Sequence, residues 1–77
     1  MTTERRTPTE IAKGICESAV RNEIDTHGLT AYDYRELPGK LHAYMDVAPE
    51  WREMSQARRA MVERIAMRLA KSGAFYL

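Results

Sequence analysis

Apolar residues recur at helical spacing along the front of the chain. They lie on one face of an α-helix and are Ile11, Ala12, Ile15, Cys16, Ala19, Val20 and Ile24. Thr7 and Glu10 form a capping box before this face, and Pro8 suits the first helical position. Gly28 is typical of a helix end in the left-handed conformation, with Leu29 folding back onto the helix. The pattern predicts a first helix that starts at residue 8 and ends near residue 27.

The middle of the chain has a weaker pattern. Thr30 and Asp33 form a second capping box, which predicts a short helix that the Leu-Pro-Gly sequence at 37–39 should interrupt. Residues 40–45 would add another turn or two of helix and bury Leu41, Tyr44 and Met45. A two-stranded alternative stays open, because tyrosines alternate with charged residues at positions 32–35.

The last third has an apolar register that is continuous at about 100° per residue. Its members are Trp51, Met54, Met61, Val62, Ile65 and Leu69. This continuity favours one helix from Pro49 to Ser72, with a fresh start at Ser55 as the alternative. Gly73 would end the helix, and residues 74–77 favour an extended segment. The sequence thus predicts an all-α domain of three to four helices over residues 7–77, with a short C-terminal extended segment, after a flexible tail of residues 1–6.

Composition supports a single globular domain. The chain has 77 residues, of which 44% are hydrophobic and 30% are charged, and these proportions exclude a disordered chain. Cys16 is the single cysteine, so no internal disulfide can form. No apolar run approaches the roughly 18 residues of a membrane span, and no signal-peptide core follows the first residues. We therefore expect a cytoplasmic protein that does not bind membranes.

Charge is distributed unevenly along the chain. The net charge is +1, but five basic residues and only Glu63 as an acid lie from Met54 onwards. Residues 8–26 have four acids against two bases. One explanation is that the two segments attract each other within the fold, and Arg58, close to the apolar stripe, is a candidate to pair with an acid of the first helix.

Residues suited to catalysis or to metal binding are scattered. Cys16, His27 and His42 lack the spacing of a zinc site, and we expect Cys16 to be buried and unreactive. The four glycines are dispersed, so no phosphate-binding loop is present. We expect a non-enzymatic protein with no cofactor and no metal.

The basic residues of the last helix are the strongest functional candidate. We predict a nucleic-acid-binding face formed by Arg58, Arg59, Arg64, Arg68 and Lys71. Arginines separated by small or unbranched residues allow a helix to approach a groove while guanidinium groups reach phosphates and base edges. A solvated basic face without a ligand is the structural alternative.

The order of elements resembles the front half of a winged-helix, helix-turn-helix domain. The resemblance covers roughly residues 8–77 and is carried by the sequence from Arg64 to Gly73, followed by residues 74–77. It implies a recognition helix, DNA binding and a role in transcription regulation. The chain departs from the family at the Pro38-Gly39 pair inside the second helix and in lacking a second wing strand.

Two functions follow from these observations. The first is a small nucleic-acid-binding regulator, acting as a dimer because one such helix gives little specific affinity. The second is a protein-binding adaptor or inhibitor, of the kind found among phage and mobile-element proteins, whose basic and aromatic surface docks on an acidic partner. Its candidate interface residues are Tyr32, Tyr34 and Met67, although the tyrosines also suit gaps in a core with a single Phe.

Overall fold

The computed structural model of the chain describes residues 6–75, which form a helical domain. The α-helices of this part are α1 (Pro8–His27), α2 (Leu37–Lys40) and α3 (Gln56–Lys71). The 3-10 segments span Leu29–Ala31, Tyr34–Glu36, Leu41–Val47 and Trp51–Glu53. No strand occurs within residues 6–75, so the all-α prediction is confirmed and the two-stranded alternative is wrong.

Both limits of α1 follow the sequence prediction, whereas the path of the chain after its end departs from it. Thr7 Oγ1 accepts the backbone N–H of Glu10 at 3.2 Å, and Glu10 Oε1 accepts that of Thr7 at 3.0 Å. At the other end α1 stops at His27. Gly28 has a positive φ of 87°, which favours glycine, but its ψ of 155° lies outside the left-handed helical region. The backbone therefore leads away from α1 and leaves Leu29 62% exposed, so the predicted fold-back is wrong.

The middle segment uses other caps than those predicted. Thr30 lies inside the Leu29–Ala31 segment, whose cap position is Gly28, so it is not the predicted helix cap. Asp33 Oδ1 instead accepts the N–H of Arg35 at 2.9 Å and starts the next 3-10 segment. Pro38 lies in the first turn of α2, where its missing N–H costs little, so it helps to start a helix that it was expected to interrupt. Beyond α2, Leu41 and Met45 are buried as predicted, and Tyr44 is half-buried.

The third helix starts afresh after a break. Met54 and Ser55 are both extended, with ψ 144° and 160°, and Ser55 Oγ accepts the N–H of Arg58 at 3.2 Å. The single helix from Pro49 is therefore wrong, and the alternative start at Ser55 is correct. Two extended residues end the register that the apolar residues suggested, because helical periodicity does not continue across them.

The buried side of α3 is consequently formed by smaller residues than predicted. Val62, Ala66 and Ala70 are fully buried, whereas Met61 is 51% exposed. This side packs on α1, where the Cys16 thiol donates to the carbonyl oxygen of Ala66 at 3.4 Å. A side-chain to backbone contact of this kind requires close approach of the two helices, and alanine permits it.

The end of α3 is confirmed at Gly73, whose φ is 83°. Residues 72–75 form turns, and Tyr32 Oη donates to the carbonyl oxygen of Phe75 at 2.7 Å. The rest of the expected extended segment, Tyr76 and Leu77, lies outside the described residues, as do positions 1–5 of the expected tail. Within the described part, no helix is both long and apolar enough to span a bilayer.

Candidate nucleic-acid interface

One side of α3 is exposed along its whole length. Apart from Gln56 at the first position, the exposed residues of α3 are Ala57, Ala60, Met61, Arg64, Arg68 and Lys71. At about 100° per residue they fall within roughly 100° of the helix circumference. The last three, which we call the basic strip, follow one another at i, i+4 and i+7 and span about 10 Å along the axis.

The basic strip surrounds an open depression at the C-terminal end of α3. The depression has a volume of ≈ 500 Å³ and is lined by Arg64, Met67, Arg68, Lys71 and Ser72. Met67 is half-buried against the core and forms the apolar part of the depression. Glu63 precedes Arg64 and therefore lies about 100° around the helix from it. The exposed side of α3 thus has cations and apolar groups but no carboxylate.

The strip cations are not neutralised within the described part of the chain. No carboxylate of residues 6–75 forms an ion pair with Arg64, Arg68 or Lys71. The expected attraction between the acids of α1 and the cations of α3 is therefore not found at the strip.

Glu23 of α1 pairs instead with a residue of α2. Its carboxylate accepts Lys40 Nζ at 2.5 Å and Tyr44 Oη at 3.0 Å. These two hydrogen bonds hold the pKa of Glu23 below its ordinary value, with the Lys40 bond as the larger cause. His27 Nε2 lies 4.0 Å from the same carboxylate. The acid of α1 that makes the most contacts is thus committed to the middle segment.

Arg58 and Arg59 occupy a different environment from the strip. Arg59 donates from Nε to the carbonyl oxygen of Trp51 at 2.7 Å and from Nη2 to that of Arg52 at 3.0 Å. Its guanidinium also lies 5.4 Å from the centroid of the Trp51 ring, within cation–π range. Arg58 Nη2 donates to the carbonyl oxygen of Arg6 at 3.3 Å. The predicted pairing of Arg58 with an acid of α1 is therefore wrong, because a backbone carbonyl lies within its reach instead.

Arg6 completes this set of contacts. Its Nε and Nη2 atoms donate to the two carboxylate oxygens of Glu50, each at 2.6 Å. The bidentate bond holds the pKa of Glu50 below its ordinary value of 4.5. A Cβ at Gly14 would lie 3.1 Å from Arg6 Nη1, so glycine leaves room for this guanidinium against α1. We call Arg6, Glu50, Trp51, Arg58 and Arg59 the arginine brace.

The aromatic candidates for a protein interface belong partly to the core. Tyr32 is half-buried, and burial raises the pKa of its hydroxyl, which donates to Phe75. Tyr34 is also half-buried, with its ring Cε2 atom 4.0 Å from the Cβ position of Gly73. Met67 borders the basic strip. The three residues do not line one common depression in the described structure.

The scattered candidates for chemistry remain apart. Burial raises the pKa of the Cys16 thiol to about 11, which suppresses its reactivity. Across residues 6–75 no three side chains of the His, Cys, Asp and Glu types are grouped so that they could hold a metal ion.

Sequence reasoning missed the brace members Arg6, Glu50 and Trp51. Arg6 and Glu50 are 44 positions apart, and no local spacing signals a pair at that separation. The only available signal was Arg59 eight residues after Trp51, because arginine is a frequent partner of tryptophan. Comparisons of the chain with protein-family models, with curated proteins and with solved structures find no match.

Proposed function

We propose that this protein is a small non-enzymatic nucleic-acid-binding regulator that contacts the phosphate backbone through the basic strip of α3. The observation that carries the proposal is the exposure of three cations on one helix face with no ion-paired carboxylate among residues 6–75. Cations that are paired in the free protein would have to exchange one partner for another. Unpaired cations gain a partner when they bind a polyanion.

The length of the strip suits a nucleic-acid backbone. Each strand of duplex DNA has one phosphate per about 3.4 Å of axis, so the ~10 Å strip matches about three phosphates of one strand. Exposed Ala57 and Ala60 earlier on the same face allow the helix to approach the duplex closely. Action in the cytoplasm as a dimer, with two strips on one duplex, belongs to the same proposal.

Salt dependence of duplex binding tests the proposal. A strip that neutralises three phosphates should give a slope of log K against log salt near −2.7 per chain, and about twice this value for a dimer. Fluorescence anisotropy with a labelled duplex, titrated between about 50 and 200 mM NaCl, measures the slope. Sedimentation of the free protein gives the number of chains to which the slope refers.

A pair of charge reversals identifies the surface. R64E with R68E should weaken duplex binding by at least about tenfold at the lowest salt, because both replaced cations would face phosphates. K13E with R21E is the matched control. It makes the same change in net charge at two exposed positions of α1 and should have a much smaller effect. Equal losses in both variants, or binding that does not depend on salt, would contradict the proposal.

An acidic protein partner is the alternative function, and the exposure of Met61 favours it. Met61 lies on the same face as the strip and is 51% exposed, and methionine and arginine are both enriched at protein interfaces. This alternative gains weight when the wild-type protein binds no duplex and the R64E and R68E changes instead abolish binding to an acidic protein.

A further inference from the structure

The arginine brace fixes the start of the same helix that presents the basic strip. We infer that Arg59 is a positioning residue, which sets the orientation of α3 and so of the strip without contacting nucleic acid itself. The inference deepens the proposed function and rests on it.

The guanidinium of Arg59 makes three contacts within the chain. Nε and Nη2 donate to the carbonyl oxygens of Trp51 and Arg52, which are consecutive residues, and the group lies over the Trp51 ring. A planar guanidinium can donate two hydrogen bonds to carbonyl oxygens and lie over an aromatic ring at the same time. A lysine ammonium at the same position would make a single point contact, so the geometry uses the properties that distinguish arginine from lysine.

The residues next to those that contact Arg59 also form hydrogen bonds. Glu50, which precedes Trp51, is bound bidentately by Arg6. The carbonyl oxygen of Arg6 in turn accepts the guanidinium of Arg58. The contacts therefore form a closed circuit from the residue before the α1 cap, through residues 50–52, to the first turn of α3. A substitution at one residue of the brace is therefore expected to weaken the hydrogen bonds of the others.

The distance between brace and strip makes orientation matter. Arg68 follows Arg59 by nine residues, which is about 13 Å along the helix. A tilt of α3 by about 10° at its start would move Arg68 by roughly 2 Å. Val62, Ala66 and Ala70 hold the buried side of the helix, and the brace adds polar contacts at its start beside the Ser55 cap. A displacement of this size is enough to lose a hydrogen bond to a phosphate.

Arginine-to-lysine substitutions distinguish a positioning residue from a phosphate contact. R64K keeps a point charge at the strip, so duplex affinity should stay within about twofold of the wild type. R59K keeps the charge but loses the paired hydrogen bonds to residues 51 and 52 and the contact with the Trp51 ring. It should weaken duplex binding by about fivefold, with an unchanged salt slope because the number of phosphate contacts is the same.

A second variant keeps the test independent of whether R59K folds. Trp51→Leu removes the stacking surface without changing any charge, and it should weaken duplex binding in the same way, again with the slope unchanged. Circular dichroism confirms that each variant is helical at the temperature of the titration. Wild-type affinity in both R59K and Trp51→Leu, or a slope reduced by about one in R59A, would overturn the inference in favour of a direct phosphate contact.

The free protein gives a readout that does not need a ligand. In a ¹H–¹⁵N spectrum, R59K should shift amide resonances as far along α3 as Lys71, whereas R64K should shift only those near position 64. Far shifts without any duplex binding by the wild type would contradict the proposed function and leave the brace as a device that orients α3. Shifts confined to the first turn in R59K would contradict the positioning role itself.

Discussion

The two halves of α3 place the same residue types in opposite environments. In the first turns, the guanidinium groups of Arg58 and Arg59 donate to backbone carbonyls of residues that precede α3. Toward the end of the helix, Arg64 and Arg68 are exposed and make no ion pair among residues 6–75. The first half uses arginine to hold the fold together, and the second half presents it to solvent.

The difference between the halves comes from the surroundings of the helix. The segment that enters α3 lies against its start and places the carbonyl oxygens of residues 51 and 52 within hydrogen-bond reach of Arg59. No such segment covers the exposed side from position 60 onwards. Arginine content along the chain therefore indicates where charge is available, whereas neighbouring backbone decides which charges stay free for a partner.

Among substitutions that test the difference between the two halves of α3, the largest loss of stability is expected on the buried side of the second half. Ala66 is fully buried, and its carbonyl oxygen accepts the Cys16 thiol. Ala66→Leu would force α3 away from α1 and should lower the free energy of unfolding by about 1–3 kcal/mol. Urea denaturation measures this change. Ala60→Leu, on the exposed side, is the control and should stay within about 0.5 kcal/mol of the wild type. Equal effects at the two positions would mean that α3 does not pack as described.

A smaller effect separates the two arginine environments directly. Arg59→Ala removes two hydrogen bonds to carbonyl oxygens and the contact with Trp51. It should lower the free energy of unfolding by about 1–2 kcal/mol, as measured by thermal or urea denaturation. Arg68→Ala should change stability by less than about 0.5 kcal/mol, because that side chain is exposed. If Arg68→Ala were as destabilising as Arg59→Ala, the division of α3 into a held half and a free half would be wrong.

The smallest expected effect concerns acid stability and the pair of Arg6 with Glu50. The folded state lowers the pKa of Glu50 below 4.5, chiefly through its hydrogen bonds to Arg6. A depressed carboxyl pKa adds stability above pH 4.5, and this stability is lost as the pH falls through the lowered value. Glu50→Gln should therefore reduce the decline in stability below pH 4.5, as measured by urea denaturation at a series of pH values.

The control for the acid experiment is Glu53→Gln. The Glu53 carboxylate is exposed and forms no ion pair in the described part of the chain. This variant should leave the pH dependence of the wild type unchanged. If the free energy of unfolding fell more steeply with decreasing pH in Glu50→Gln than in Glu53→Gln, the predicted contribution of the Arg6–Glu50 pair to acid stability would be wrong.

Much of the helical structure could be predicted because its causes are local. The capping box of Thr7 and Glu10 acts over three residues, and the apolar face of α1 repeats at short intervals. The break before α3 was harder to predict. Trp51 and Met54 fit a continued helical register, and only the extended backbone of Met54 and Ser55 interrupts it. A periodic pattern contains no information about a break when the residues on both sides of it fit the same period.

The sequence by itself determined an all-α domain, the limits of α1, the end of α3 at Gly73 and the excess of cations along the last helix. Each of these depends on residues within a few positions of one another. Only the tertiary structure decided which cations are held and which are exposed. The bond from Arg58 to Arg6 joins residues 52 positions apart, and that of Arg6 to Glu50 joins residues 44 apart. Such pairs form only when the chain has folded, because packing of α1 against α3 brings their backbones together.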